Sequence, residues 1–210
     1  MSEERQQILQ AKISTEIVDF RNACQTIQLA TVNEKGEPNA SYAPFAYHND
    51  RYVVLISEMA RHARNLQQVP KVSLMLIEDE KTARELFARK RLTTNAEARL
   101  IEKESEEGKQ LLAALRQRYG ERIDGLARLS DFKLFSLSPK QSLYVKGFGQ
   151  AFHVDKDGKI LHLRGGHGHG HGHGHGHGHG HGHGHGHGHG HGHGHGHGHG
   201  HGHGQASSHQ

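Results

Sequence analysis

The sequence predicts a mainly β protein, a small antiparallel barrel with helices inserted between its strands, followed by a tail expected to be disordered. Residues 26–57 read as three strands joined by two turns: Ile27, Leu29, Thr31 and then Ala40, Tyr42 alternate, and Tyr52 to Ile56 is an uninterrupted apolar run. Further strand patterns bring the count to six or seven, and the helices between them lack the strand-helix-strand regularity of a doubly wound sheet. From His167 to Gly204 the chain is His-Gly dipeptide, nineteen times over. That segment has no apolar side chain to bury and maximal backbone entropy to lose. The foldable domain is therefore residues 1–166, and the tail is residues 167–210.

Each element has a local reason. In residues 3–23, Ile13, Ile17, Phe20 and Cys24 follow Ile8 and Leu9 at spacings of four, three and four, which predicts a helix with one apolar stripe. Cys24 lies on that stripe and reads as a small buried hydrophobe rather than a nucleophile. Lys35-Gly36 supplies the positive φ of a hairpin loop, Pro38 fixes the chain beyond it, and Asn49-Asp50 makes a tight two-residue connection. Ser57 is expected to cap a helix over residues 58–68 that carries Arg61, His62 and Arg64 and ends before Pro70. Residues 71–77 alternate as a fourth strand, residues 80–88 form a short helix, and residues 90–102 form a fifth strand. On that strand Leu92, Thr94, Ala96 and Ala98 share one face; Arg91, Thr93 and Asn95 share the other, which lines a cavity, meets an interface or faces solvent. Ser105 precedes a helix over residues 106–119, with Leu111, Leu115 and Tyr119 spaced by four and Gly120 closing it. Residues 121–131 connect to two strands, 132–138 and 142–154, around Pro139-Lys140. A turn at 155–158 leads to a last strand at 160–163.

Composition narrows the function. All 26 Lys and Arg and all 22 Asp and Glu precede His167, so the body carries the net charge of +4. A mildly basic body with intermingled charges suits a small anionic ligand and argues against nucleic acid. The single cysteine excludes an internal disulfide and a Cys-rich metal cluster and agrees with a reducing compartment. With no apolar leader and no run of eighteen apolar residues, neither a signal peptide nor a membrane span is expected, and a cytoplasmic location follows. There is no glycine-rich strand-to-helix fingerprint and no acid-base pair at enzyme-like spacing.

Several ordered blocks carry a family resemblance. Ala30-Thr31-Val32, Gly36-Glu37-Pro38-Asn39, Ser41-Tyr42-Ala43-Pro44-Phe45, Arg61-His62-Ala63-Arg64-Asn65-Leu66, Phe87-Ala88-Arg89-Lys90-Arg91-Leu92, Asp131-Phe132 and Val145-Lys146-Gly147-Phe148-Gly149-Gln150-Ala151 together resemble the bacterial haem-utilisation proteins of the HutZ and HugZ type. These belong to the flavin-binding split-barrel superfamily of pyridoxamine phosphate oxidase. The resemblance spans about residues 5–167. It implies a homodimer of split barrels that binds haem b near the subunit interface and opens it to a biliverdin-like product with release of iron. It further implies no bound FMN, an external reductant or reductase, and a haem-delivery protein among the partners. The family's iron ligand is a histidine close to the C-terminus, which corresponds here to His167, with His162 and later repeat histidines as rivals. Asp131 corresponds to a family carboxylate that meets this histidine from the partner subunit, fixing its tautomer and raising its donor strength. Arg91, Arg89, Arg64 and Lys146 are the candidates for the haem propionates, on charge-assisted pairing.

The tail departs from this family. Extended, it sets histidines two apart at roughly 7 Å, and a bend at glycine brings imidazoles together around zinc, nickel or copper. His167, His169, His171 and His173 are the first such ligands. Three alternatives stay open: a haem carrier without turnover, an FMN-dependent oxidase of the pyridoxamine phosphate type, and a metal buffer in which the barrel is a dimeric scaffold for two tails.

Overall fold

In the computed structural model, which describes residues 3–165, nine strands belong to one antiparallel sheet. The helix α1 (Glu3–Ala23) leads into the hairpin of β1 (Thr26–Val32) and β2 (Pro38–Pro44). Its loop takes the positive φ at Gly36, 78°, and Asn33 Oδ1 accepts from the Lys35 and Glu37 amides at 3.0 and 2.9 Å. A second hairpin joins β3 (Ala46–His48) to β4 (Arg51–Ser57), and Asn49 and Asp50 both take left-handed φ, 47° and 58°. That is the two-residue turn expected of this dipeptide, matched to the twist of the flanking strands.

Residues 26–57 thus hold four strands, not three, because the second one breaks at Phe45. Before the break β2 pairs with β1; after it β3 pairs with β4. With β5 (Lys71–Ile77), β6 (Arg91–Ile101) and β7 (Phe132–Gly147), the order is β2-β1-β5-β6-β7-β4-β3. The two ends of that order are neighbours in sequence, so β2 and β3 are one bent strand and the sheet closes on itself.

The bend would leave the backbone of buried Phe45 without partners. Tyr119, the last residue of α3 (Glu106–Tyr119), supplies them: its hydroxyl accepts from the Phe45 N–H at 3.0 Å. The same oxygen lies 2.8 Å from the Phe45 carbonyl and 2.5 Å from that of Gln25, to one of which it gives its single proton. Arg118 covers the Phe45 ring at 4.5 Å from its centroid. The helix begins at Ser105, whose hydroxyl accepts from Gly108 N at 3.0 Å, and ends at Gly120 with φ 74°. A Cβ on Gly108 would stand 2.1 Å from the Glu102 carbonyl, so the approach of the turn after β6 to this helix requires glycine.

Two cores result. Tyr52, Val54 and Ile56 face the barrel interior with Leu29, Leu74, Phe135 and Tyr144, and α1 covers this core with Ile13 and Phe20. Val53 and Leu55, on the other face of β4, pack with Leu111, Leu115, Ile123 and Leu134 beneath α3 and α4 (Arg122–Arg128). Burial on both faces explains the uninterrupted apolar run in β4.

Several expectations need correction. Ser57 does not cap α2 (Arg61–Gln68); Ala60 holds that position with no side-chain cap, and the Ser57 hydroxyl turns instead to Asp131. Residues 80–88 contain only a 3-10 turn at Leu86–Ala88. Pro139-Lys140 does not separate two strands, because β7 runs through it as a bulge: Asn95 pairs with Gln141 but Ala96 with Pro139, leaving Lys140 as the extra residue. The chain turns later, at Phe148-Gly149 with Gly149 at φ 67°, into β8 (Gln150–Asp155), and β9 (Ile160–Gly165) extends two residues further than expected. Residues 121–131, read as helical or irregular, contain the regular helix α4. The sheet holds nine strands against the six or seven expected: the break at Phe45 and the turn at Phe148-Gly149 each divide a segment read as one strand, while β7 joins two read as separate. Among the described residues no helix is long and apolar enough to cross a membrane. The domain boundary at residue 166 and the tail lie outside the described residues.

Replacing Tyr119 with Phe keeps the ring and leaves the Phe45 N–H buried without its acceptor. Urea denaturation should show a loss of about 1–3 kcal/mol, against a change within about 0.5 kcal/mol for Tyr42→Phe on the exposed face.

Candidate functional site

One end of the barrel wall forms an amphiphilic groove. Arg91 opens β6 opposite Val145, and just beyond Val145 the chain reverses through Phe148-Gly149 into β8. Glu85 steadies the adjoining 3-10 turn by accepting from Phe87 N at 2.9 Å. Between these segments lies a groove of about 480 Å3 lined by Phe87, Arg91, Leu143, Val145, Phe148 and Ala151. Phe87 is 90% exposed and Phe148 is 69% exposed. Two aromatic faces held in water beside one guanidinium suit a planar apolar ligand that carries an anionic group. The register of β8 and β9 matters here: Gly165 pairs with Gln150 and Arg164 with Ala151, so the chain leaves its last strand beside the groove.

The other end of the wall forms a carboxylate corner. Asp131 immediately precedes β7, and its backbone carbonyl accepts from Glu58 N at 2.7 Å. The Ser57 hydroxyl donates to Asp131 Oδ2 at 2.6 Å, and Ser57 Oγ in turn accepts from Met59 N at 3.1 Å. Lys103 steadies the approach to this corner by donating to the carbonyls of Ala127 and Leu129 at 2.7 and 2.8 Å. Met59, 78% exposed, and Leu129 make the rim apolar.

The predicted residues therefore divide into two groups. Ten residue steps along β6 separate Arg91, paired with Val145, from Ile101, paired with Leu134 near Asp131, roughly 33 Å of strand. That is further than one porphyrin and its propionates reach. Of the four basic candidates, Arg91 lines the groove, where its Nη1 also donates to the Arg89 carbonyl at 3.3 Å. Arg89 donates from Nε (3.1 Å) and Nη2 to the Glu78 carbonyl. Arg64 belongs to the corner, donating to the carbonyls of Glu58 and Met59 at 3.2 and 2.7 Å. Lys146 pairs with Glu16 of α1 at 2.7 Å, both half-buried, and so ties the helix to the barrel.

Phe87, Phe148 and Ser57 are the site residues that sequence reasoning missed. For the two phenylalanines the available signal was a lone aromatic in an otherwise charged or glycine-rich stretch; for Ser57 its hydroxyl was assigned to a helix end. Among the described residues no cluster of three or more His, Cys, Asp and Glu could hold a metal ion. His167, His169, His171 and His173 lie outside the described residues, as does the side chain of His162, whose backbone pairs with His153. Burial lowers the pKa of His62, favouring its neutral form. Burial also raises that of the Cys24 thiol, against the opposing pull of Arg118.

A family model described as "Pyridoxamine 5'-phosphate oxidase" matches residues 13–146. The chain is 52% identical over 165 residues to "Heme oxygenase HutZ" of Vibrio cholerae, covering 78% of this chain and 94% of that protein. Among solved structures it is similar to HutZ of Vibrio cholerae, described as a heme storage protein, at 52% identity and TM-score 0.61 over 62% of this chain and 93% of that one. Campylobacter jejuni ChuZ is similar at 31% identity and TM-score 0.67 over 73% and 63%. The chain belongs to the pyridoxamine 5'-phosphate oxidase-like split-barrel family. Within it, the chain is a haem-utilisation protein of the HutZ and HugZ type.

A raised thiol pKa has a direct chemical consequence, since only the thiolate alkylates. The rate of Cys24 modification by iodoacetamide should be slower than that of a free cysteine at neutral pH. It should still be climbing at pH values where the free cysteine has levelled off, as followed by mass spectrometry.

Proposed function

We propose that the protein binds haem in the Arg91 groove and oxidatively degrades it to a biliverdin-like product with release of iron, using an external electron donor. The observation that carries this reading is the exit of β9 beside the groove. His167 is two residues beyond Gly165, and two residues of extended chain span at most about 7 Å. We assign His167 to the iron because it follows so closely on a strand end that lies beside the groove of Arg91, Phe87 and Phe148. The haem oxygenase activity for which the Vibrio cholerae relative is named supports the same reaction class.

The residues fit haem: the groove's apolar lining takes the macrocycle, Arg91 takes a propionate by charge-assisted pairing, and His167 takes the iron. Bound haem supplies the iron centre for dioxygen chemistry, which accounts for the lack of an acid-base pair in the chain. Asp131 is assigned to the histidine ring N–H, fixing its tautomer and pushing electron density toward the metal. The family resemblance assigns that corner to a second subunit, and the placement of Asp131 and Arg91 of one chain toward opposite ends of β6 supports it. A homodimer that sets the exposed Met59 and Leu129 of one protomer against the Phe87 and Phe148 of its partner gives two such sites. The resemblance to the HutZ and HugZ proteins is what disfavours flavin; the internal partners of Arg89, Arg64 and Lys146 withdraw them from a flavin phosphate and a haem propionate alike.

Two further readings rest on specific observations. The description of one relative as a storage protein favours a carrier that keeps its haem intact. The nineteen His-Gly repeats favour a second role in binding zinc, nickel or copper.

A haem titration of the chain ended after Gly168, with and without His167→Ala, tests the ligand; loss or spectral change of the bound haem is expected in the variant. Bleaching to a bilin on adding reductant under air supports degradation, whereas a stable Soret band supports the carrier. Subunit exchange tests the divided site. Arg91→Ala and Asp131→Ala chains, each inactive alone, should recover about a quarter of parental turnover when mixed, half the dimers being mixed and each holding one intact site. Absence of recovery would sink the two-subunit arrangement. For the tail, the full chain should bind several more nickel ions than the shortened one at pH 7.5. By equilibrium dialysis the difference should vanish below about pH 6, where imidazole is protonated and no longer ligates.

A further inference from the structure

We propose that Ser57 is a positioning residue for Asp131, setting the carboxylate at the angle from which it meets the ring N–H of the iron-ligating histidine; this rests on the haem reading above. The Ser57 hydroxyl stands at the end of β4, in register with Phe132 on β7, so two paired strands fix its distance from the residue that precedes Phe132. At 2.6 Å its bond to Asp131 Oδ2 has the length of a hydroxyl donating to an ionised carboxylate. The Met59 amide occupies a lone pair on Ser57 Oγ at 3.1 Å, which directs the hydroxyl proton toward Asp131.

The charges around this corner are committed elsewhere. Arg64 donates to the carbonyls of Glu58 and Met59, and Lys133 pairs with Glu58 at 3.4 Å. Among the described residues Asp131 makes no ion pair, and no hydrogen bond engages its Oδ1. The carboxylate is thus held by a neutral donor through one oxygen. An arginine or lysine in that place would neutralise it. A serine fixes its rotation while leaving its negative charge, and its second oxygen, for the histidine. Asp131 chooses the tautomer; Ser57 chooses where Asp131 points.

The test uses the full chain loaded with one haem per subunit, comparing the parent with Ser57→Ala, Ser57→Thr and Asp131→Asn. The readouts are turnover, thermal melting and the iron–histidine stretching band of the reduced complex by resonance Raman. Ser57→Ala is expected to retain haem, lose about tenfold in turnover, and shift the band in the same direction as Asp131→Asn. Ser57→Thr, which keeps the hydroxyl, is expected to restore both. In the Asp131→Asn background Ser57→Ala should add no further shift. A Ser57→Ala chain that melts earlier and turns over slowly with an unmoved band overturns the proposal, leaving Ser57 as a structural link. A band that moves in neither Ser57→Ala nor Asp131→Asn, or a parent that binds no haem, overturns the Asp131 reading and this proposal with it.

Discussion

The barrel depends on one hydroxyl group. Closing the sheet requires a single strand to serve both edges, pairing with β1 through its first half and β4 through its second. A strand bent that sharply cannot keep the backbone of the bend residue in either ladder, and Phe45 sits fully buried, where water cannot substitute. The Tyr119 hydroxyl answers from outside the sheet, accepting from the Phe45 N–H and giving its one proton to the Phe45 or the Gln25 carbonyl. This explains why α3 must dock where it does: its last residue completes the backbone hydrogen bonding of the barrel while Leu111 and Leu115 bury the outer face of β4. Arg118, one residue earlier, covers the Phe45 ring and reaches the carbonyls of Asn22 and Cys24 at the end of α1. One helix end therefore secures the bend, the helix over the barrel and the entry to β1.

Much of this was legible in sequence because local chemistry agreed with the global fold. The Asn49-Asp50 turn, the helix start after Ser105 and the alternation of β6 are each decided within a few residues and appear as read; the α1 stripe appears in part, with Ile13 and Phe20 buried, Ile8 exposed and Cys24 half-buried beyond the helix end. What was not legible depends on partners distant in sequence. The break at Phe45 follows Pro44, which cannot donate to a ladder, but the partner that satisfies the bend lies 74 positions away in Tyr119. Pro139 reads as a break between two strands because proline cannot donate to a ladder, yet a bulge opposite Ala96 accommodates it. Ser57 was assigned to the nearest helix end, whereas its hydroxyl serves a residue in another part of the chain.

The candidate site shows the same division. Side-chain type alone singled out four basic residues as equivalents, and only geometry separates them. Lys146 holds α1, Arg89 closes the chain segment before β6, Arg64 ties the corner before α2, and Arg91 lines the groove. A cation committed to internal carbonyls or a carboxylate costs energy to reassign, since its old partners would be left unmet. The exposed aromatics carry the opposite information: large apolar surface left in water at two sites on one groove marks a surface meant to be covered.

The length of β7 has a wider consequence. This one strand begins beside the carboxylate corner, pairs with β4, passes its bulge and ends as a wall of the groove. Side chains alternate along a strand, so gaining or losing one residue anywhere in it would turn every later position inside out. The bulge at Lys140 already uses the single offset that the pairing with β6 absorbs. Over evolutionary time the helices and the connections between strands can lengthen or shorten, but β7 is a fixed ruler. Relatives that keep both ends of it at work must also keep its residue count.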